Sequence, residues 1–263
     1  MPRVSSRENP RLKAVARLIA SSRERRKTGR CVLEGEHSIA AYCARHGTPE
    51  TLVVCDAALD RPDVKMLLAR VPLMDTLVIA ADRWMDLGQL APALGVLAIV
   101  TAPSPVLRSV ADFCLLLDAV QDPGNLGSIL RSAAAAGVDQ VFLSSGCAFA
   151  WSPKVLRAGQ GGHFHLDIFE NVDLGAWAGK YRGNLVAAVP AGGVSLFSAD
   201  LAAPLAIAIG NEGAGLSDSV RAAAKHRVTI PMPGGFESLN AAAAAAVCLF
   251  ECVRRRDCAA RPT

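Results

Sequence analysis

The sequence predicts an α/β protein in two parts, a small N-terminal α/β unit followed by a parallel-sheet domain, and three observations carry that expectation. From Phe113 onward, apolar runs of strand length alternate with helical stretches at short intervals. Strands that are apolar along their whole length, each followed by a helix, belong to a parallel sheet covered on both faces. The proline-rich stretch TAPSPVLRS, residues 101–109, resists helix and reads as a linker. Positive charge is also gathered at one end, because residues 1–30 hold ten basic side chains against two acidic ones. That segment is net +8 in a chain of net +4, which leaves the remainder at −4. The expected domains are residues 1–105 and 106–263.

In the first part, Asn9-Pro10 is a helix start, and Leu12, Val15, Ala16 and Ile19 recur at helical spacing with Arg11, Lys13 and Arg17 outside. CVLEGEHSIAAYCARHG reads as a short strand and a helix closed by Gly47. A strand at Thr51–Cys55, a helix near 63–70, a strand at 77–80, a short helix near Trp84 and a strand at 96–100 complete it.

The second part reads as FCLLLDAV, a helix over 124–137, QVFLSS, a helix from Ser152 to about Gly159, HLDIFE, a helix near Trp177, NLVAAV, PLAIAIG, a helix over 216–224, RVTI and a last alanine-rich helix. The tail from Arg254 is expected to fray. Between the last strand and the last helix lies IPMPGGFESLN, residues 230–240. Pro231 and Pro233 remove backbone donors and stop regular pairing, Gly234 and Gly235 allow the turn, and Ser238 is expected to cap the helix. A polar Ser-Leu-Asn set beside freed backbone groups is how a parallel α/β fold builds a ligand site; from these residues alone, a Gly-Pro turn leading into a surface helix is equally open.

At 51% hydrophobic and 20% charged, the chain can bury a full core. Its eight cysteines, at 31, 43, 55, 114, 147, 248, 252 and 258, form no CxxC pair and no zinc spacing, which predicts packed thiols in a reducing compartment and no structural metal. The N-terminus has no apolar signal core. Residues 87–107 carry no charge, yet Pro92, Pro103 and Pro105 argue against a membrane helix. The expected location is the cytoplasm. For the basic N-terminal run, a solvated helix face and a footprint on a phosphate backbone are both open; the second would use Arg11, Lys13, Arg23, Arg25, Arg26 and Lys27.

Two glycine-rich turns follow apolar strands. In DPGNLGSILRSAAAAG, Asp122-Pro123-Gly124-Asn125 opens a helix that carries Arg131. Asn125 and Arg131 meet only if Asn125 lies on the turn before the helix, the arrangement expected here. GNEGAGLS repeats strand, turn and helix, with Glu212 at the turn. Neither turn carries a phosphate-loop lysine or fits GxGxxG. His163 and His165 read as structural or surface histidines.

The blocks DPGNLGSILRSAAAAG, GNEGAGLS and IPMPGGFESLN, in this order, resemble the three motifs of the SpoU (TrmH-like) branch of the SPOUT RNA methyltransferases, over about Leu115 to Glu251. SPKVLRAGQGGHFHL is similar to a segment found between the first two motifs. SSRENPRLKAV, RRKTGRCVLEGEHSI and GVLAIV resemble the ribosomal-protein-like RNA-binding domain that often precedes this catalytic domain. The resemblance implies 2′-O-methyl transfer from S-adenosylmethionine to an RNA ribose, a SPOUT domain with a C-terminal trefoil knot, and a homodimer with sites at the subunit interface. It places Asn125 and Arg131 near the acceptor ribose, Glu212 in ordering the site, and Ser238 and Asn240 in supporting site and substrate. Gly210, Ile230, Met232 and Leu239 would line the bent cofactor.

A sulfonium methyl is already activated, so the enzyme must mainly align the reactants and remove the hydroxyl proton. Two roles are open to Arg131: a base aided by its surroundings, or a cation steadying the forming alkoxide. Where many relatives read SLNVS this chain has Ala241-Ala242, and Gly159 stands where a serine is common. Ribosomal RNA is favoured over transfer RNA as substrate, on the extra N-terminal domain. The competing readings are an RNA-binding or ribosome-assembly protein that kept the fold without catalysis and, more remotely, a nicotinamide-dependent enzyme.

Overall fold

A computed structural model of the chain describes residues 3–70, 76–87, 95–107 and 111–260, with the side chains of 257–260 excepted. Two compact units emerge: Met1–Pro103 with Trp151–Phe164, and Ser104–Ala150 with His165–Thr263.

In the first unit the strands are β1 (Arg3–Val4), β2 (Arg30–Glu34), β3 (Thr51–Cys55), β4 (Thr76–Ile79) and β5 (Val96–Thr101). They form one sheet in the order β1-β4-β3-β5-β2, in which β5 runs antiparallel to both neighbours. Helix α1 (Pro10–Ala20) is capped by Asn9, whose side chain accepts the Arg11 N–H at 2.9 Å, and it buries Leu12, Val15, Leu18 and Ile19. Helix α2 (Ser22–Thr28) escaped the sequence reading because its polar run SRERRKT has no apolar stripe. Ser21 caps its start, and Gly29 at φ 66° ends it.

Arg25 in α2 is not a surface cation. It is 6% exposed, and its Nη1 donates to the carbonyls of Leu18 and Ile19 at 2.5 and 2.8 Å, where α1 leaves acceptors unsatisfied. Burial pushes its guanidinium pKa down.

Helix α3 (Gly35–His46) packs on β2 and β5, α4 (Pro62–Arg70) packs against α3, and α5 (Ala81–Trp84) follows β4. The second unit begins with β6 (Phe113–Leu117), α6 (Pro123–Ala135) and β7 (Gln140–Leu143). The chain then contributes Trp151–Phe164, including α7 (Pro153–Gly159), to the first unit. The sequence reading gave this segment to the second domain. Its contacts explain the difference: α7 packs on β2, Phe164 meets Tyr42 edge to face at 5.2 Å, and Arg157 Nε donates to Glu34 at 2.8 Å. Burial pushes the Glu34 carboxyl up and Arg157 pulls it back. The apolar ring and the buried carboxylate each find their partner in the first unit.

The second unit continues with β8 (Asp167–Phe169), α8 (Leu174–Lys180), β9 (Asn184–Ala188), β10 (Val194–Ser195), β11 (Leu205–Ile209), α9 (Asp218–Ala223), β12 (His226–Thr229) and α10 (Ala241–Ala260). Its seven strands are all parallel, in the order β10-β12-β9-β11-β6-β7-β8. Alternation along β6 divides the core. Cys114 and Leu116 join Phe142, Leu174, Ala178 and Val220 on one face. On the other, α6 and α10 pack together and α10 reaches β11. The two-residue strand β10 was not foreseen; it is too short to show a period.

Burial pushes the thiols of Cys114, Cys248 and Cys252 up to about 12, so they pack as protonated, apolar groups. The linker 101–109 has no regular structure over 102–107, and its last two residues lie outside the described ones.

The tail expected to fray from Arg254 is instead helical through Ala260. The reason is Glu251, 6% exposed, which accepts Arg254 Nε at 2.7 Å and Arg255 Nε at 2.9 Å. Arg255 in turn donates to the Phe197 carbonyl. These arginines hold the Glu251 carboxyl down to about 2. A carboxyl depressed on folding stabilises above its unfolded value of 4.5 and loses that contribution as pH falls towards about 2. Glu251→Gln is expected to lower stability at pH 7 by about 1–2 kcal/mol and to flatten the loss between pH 4.5 and 2, as read from urea unfolding across that range.

Candidate active site

The site forms where the C-terminal ends of β6, β9, β11 and β12 open into loops, the usual crevice of a parallel α/β sheet. After β6, the buried Asp118 accepts the Ser217 N–H at 2.9 Å, and the Ala119 carbonyl accepts Asn211 Nδ2 at 2.8 Å. These bonds fasten the first turn to the turn after β11. The Asn211 side chain also takes the N–H groups of Gly213 and Ala214 at 2.9 and 3.0 Å, which shapes the GNEGAG loop.

Gly210 is required by close approach. A Cβ there would fall well inside contact distance of the Gly215 and Leu216 backbone. Gly193 meets a similar constraint. β12 lies between β9 and β10, although only residues 189–193 join those two strands. That short connection must cross β12, and a Cβ on Gly193 would stand 2.7 Å from the Val228 carbonyl carbon.

The three motif segments are joined by one hydrogen-bonded relay. Asn240 Oδ1 accepts the N–H groups of Ala242 and Ala243 at 3.0 and 3.3 Å. That leaves its Nδ2 to donate to Asn125 Oδ1 at 2.9 Å, and Asn125 Nδ2 therefore donates to the Glu212 carboxylate. An amide has one accepting and one donating end, so the helix cap sets the direction of the whole chain of bonds. Asn240, not Ser238, caps α10. The helix starts at Ala241, and Ser238 sits two residues too early to reach its first amides.

A cleft of about 370 Å³ lies beside this relay. Gly210, Ile230, Met232 and Leu239, the four expected cofactor-lining positions, all line it, together with Glu212 and Ser238. Arg131 does not join them. Asp122 caps α6 by accepting the Asn125 N–H at 2.7 Å, so Asn125 lies inside the helix instead of on the turn before it. Six residues at 100° each place Arg131 about 240° around the helix from Asn125. Arg131 is exposed and makes no hydrogen bond or ion pair among the described residues. Asp118, Asn211, Arg221, Arg227 and Glu237, also at or beside the cleft, were missed by sequence reasoning; only the motif context of Asn211 and Glu237 signalled them. His163 is fully buried against Trp151, at 5.5 Å between rings, and no group of three or more metal-ligating side chains occurs among the described residues.

Residues 112–250 match the SpoU rRNA Methylase family. The chain belongs to that family. This SpoU chain is 31% identical over 261 residues to the 23S rRNA (guanosine(2553)-2'-O)-methyltransferase RlmP of Bacillus subtilis, covering 95% of itself and 98% of that protein. It is 32% identical over 267 residues to the 23S rRNA (uridine(2479)-2'-O)-methyltransferase of Streptomyces viridochromogenes, covering 97% and 92%. Among solved structures, the SpoU methyltransferase AviRb of Streptomyces viridochromogenes, in complex with the cofactor AdoMet, superposes with a TM-score of 0.84 at 30% identity, over 95% of this chain and 99% of that one.

Asn240→Ala is expected to cost about 1 kcal/mol through the lost cap and also to release Asn125 from Glu212, seen as lower urea stability together with altered amide resonances in the GNEGAG loop. Gly210→Ala forces backbone against backbone and is expected to reshape the cleft, so that adenosine ligands no longer bind by calorimetry while the far-ultraviolet circular dichroism keeps its α/β form.

Proposed function

We propose that this chain transfers the methyl group of S-adenosylmethionine to a ribose 2′-hydroxyl of RNA, with ribosomal RNA favoured over transfer RNA. One observation carries the reading: Asn125, Glu212 and Asn240, from three separate motifs, converge on one relay beside a cleft lined by the cofactor-motif backbone.

The cleft suits a small, partly apolar ligand. Its volume falls in the range of small-molecule sites. Ile230, Met232 and Leu239 give it apolar wall, while Glu212 and Ser238 give it polar points. The cofactor supplies a methyl on a cationic sulfur. The chain supplies alignment. Gly210 lets the loop fold close, and the segment around Ile230, Met232 and Leu239 offers backbone groups that the flanking prolines have freed from pairing. The relay holds Glu212 and Asn125 in one fixed orientation beside the acceptor ribose, and Ser238 lies on the same wall.

Arg131 acts as a cation. Arginine keeps its proton in proteins, and the exposed guanidinium has no described partner to draw it away. Its task is to steady the forming alkoxide and a neighbouring phosphate. Because Arg131 is exposed and does not line the cleft of its own chain, we place it at the interface of a homodimer formed through the parallel-sheet domain, serving the cleft of the partner. Exposed Phe236 and Phe250 on that domain fit a buried interface. The crossing of residues 189–193 over β12 supports a C-terminal segment threaded as a trefoil knot. The first unit binds RNA by shape and phosphate through the exposed Arg11, Lys13, Arg23, Arg26 and Lys27. No helix among the described residues is long and apolar enough to cross a membrane, and the enzyme works in the cytoplasm.

The test is transfer of labelled methyl to separate ribosomal and transfer RNA pools, followed by nucleoside analysis. Label is expected in a 2′-O-methyl nucleoside of the ribosomal pool, and Arg131→Ala is expected to lose about 100-fold or more in rate while binding S-adenosylhomocysteine as the wild type does. Absence of label from naked RNA and ribosomal particles alike sinks the catalytic reading.

A further inference from the structure

The cleft wall carries four charged side chains: Glu212, Glu237, Arg221 and Arg227. Two already have partners. Glu212 accepts from Asn125, and Arg221 is paired with Asp218 one turn earlier on α9. The other two, Arg227 on β12 and Glu237 in the loop before α10, are exposed and make no hydrogen bond or ion pair among the described residues. One cleft therefore offers one guanidinium and one carboxylate with unused bonding capacity.

We propose that Arg227 and Glu237 together bind the amino-acid end of the cofactor, Arg227 taking its carboxylate and Glu237 its ammonium. This rests on the cofactor occupying the cleft as set out above. The ligand carries three kinds of surface: an adenosine, a cationic sulfur and a zwitterionic end. The apolar wall and backbone groups suit the adenosine, whereas a zwitterion is matched by two opposite charges. A phosphate of the RNA backbone fits the same place poorly, because Glu237 and Glu212 on the wall would repel it. A guanidinium also matches carboxylate geometry in two parallel hydrogen bonds, an arrangement that an ammonium lacks. The position of Arg227 is secured by its strand. The neighbouring Val228 is buried and β12 pairs on both sides, so alternation turns Arg227 away from the core face that Val228 fills.

Isothermal titration calorimetry with two non-reacting ligands separates the possibilities. S-adenosylhomocysteine keeps the amino-acid end, and 5′-methylthioadenosine lacks it. The expected result is that Arg227→Ala weakens S-adenosylhomocysteine about tenfold, or 1.4 kcal/mol, and leaves methylthioadenosine within about twofold of wild type. Glu237→Gln should show the same selective loss, and raised salt should weaken only the first ligand. Equal weakening of both ligands, or of neither, overturns the assignment while leaving the cleft as the cofactor site. If neither ligand binds the wild-type protein, the assignment falls together with the cofactor reading. Both side chains are exposed, so the variants are expected to fold, and unchanged thermal unfolding of the unliganded proteins checks this.

Discussion

The hydrogen bonds from Asn240 to Asn125 and from Asn125 to Glu212 are the constraint on which the site depends. They join residues 115 and 87 positions apart in the chain, so they exist only when α6, the loop after β11 and the start of α10 are all in place. Asn240 does two things at once. Its oxygen closes the first turn of α10, and its nitrogen then has one direction left to point. Helix capping, a local stabilising device worth about 1 kcal/mol, thereby sets the orientation of a carboxylate on another segment.

The cleft follows from the same packing. Gly210 allows the β11 loop to fold back on Gly215, and Gly193 allows the 189–193 connection to cross β12 closely. Each removes a side chain where two backbones pass. What remains between the loops is a space with apolar walls and a few charges. Some of those charges are already committed within the fold, and the rest stay open to a ligand.

The basic N-terminal run shows how far net charge overstates what a surface offers. Arg25 closes the end of α1. Arg3, Arg7 and Arg30 pair with Asp56, Asp86 and Glu50, and Lys13 with Glu8. These exposed pairs are weak in water, so the arginines in them can exchange a carboxylate for a phosphate, which Arg25 cannot do without uncapping a helix.

Much of this was legible from residues alone. Strand and helix alternation, the glycine-rich turns and the three motifs depend on neighbours within a few positions, and local sequence reports local conformation directly. The apolar strands of the second unit and the Asn9-Pro10 helix start are of that kind. The polar helix α2 and the two-residue strand β10 left no periodic signal, since one has no buried stripe and the other is shorter than its own repeat. The sequence by itself determined the α/β class, the order of the elements that carry a hydrophobic period and the residues gathered in the motifs, because hydrophobic period and turn chemistry are properties of short segments. Only the tertiary structure decided that Asn240 caps α10, that Asn125 lies inside α6 with Arg131 outside the cleft lining, that Arg25 is buried and that residues 151–164 join the first unit. The last is set by distant partners, Glu34 and Tyr42; the other three are set by which nearby amide or carbonyl a side chain meets once its helix ends are fixed, and residue type alone leaves that choice open.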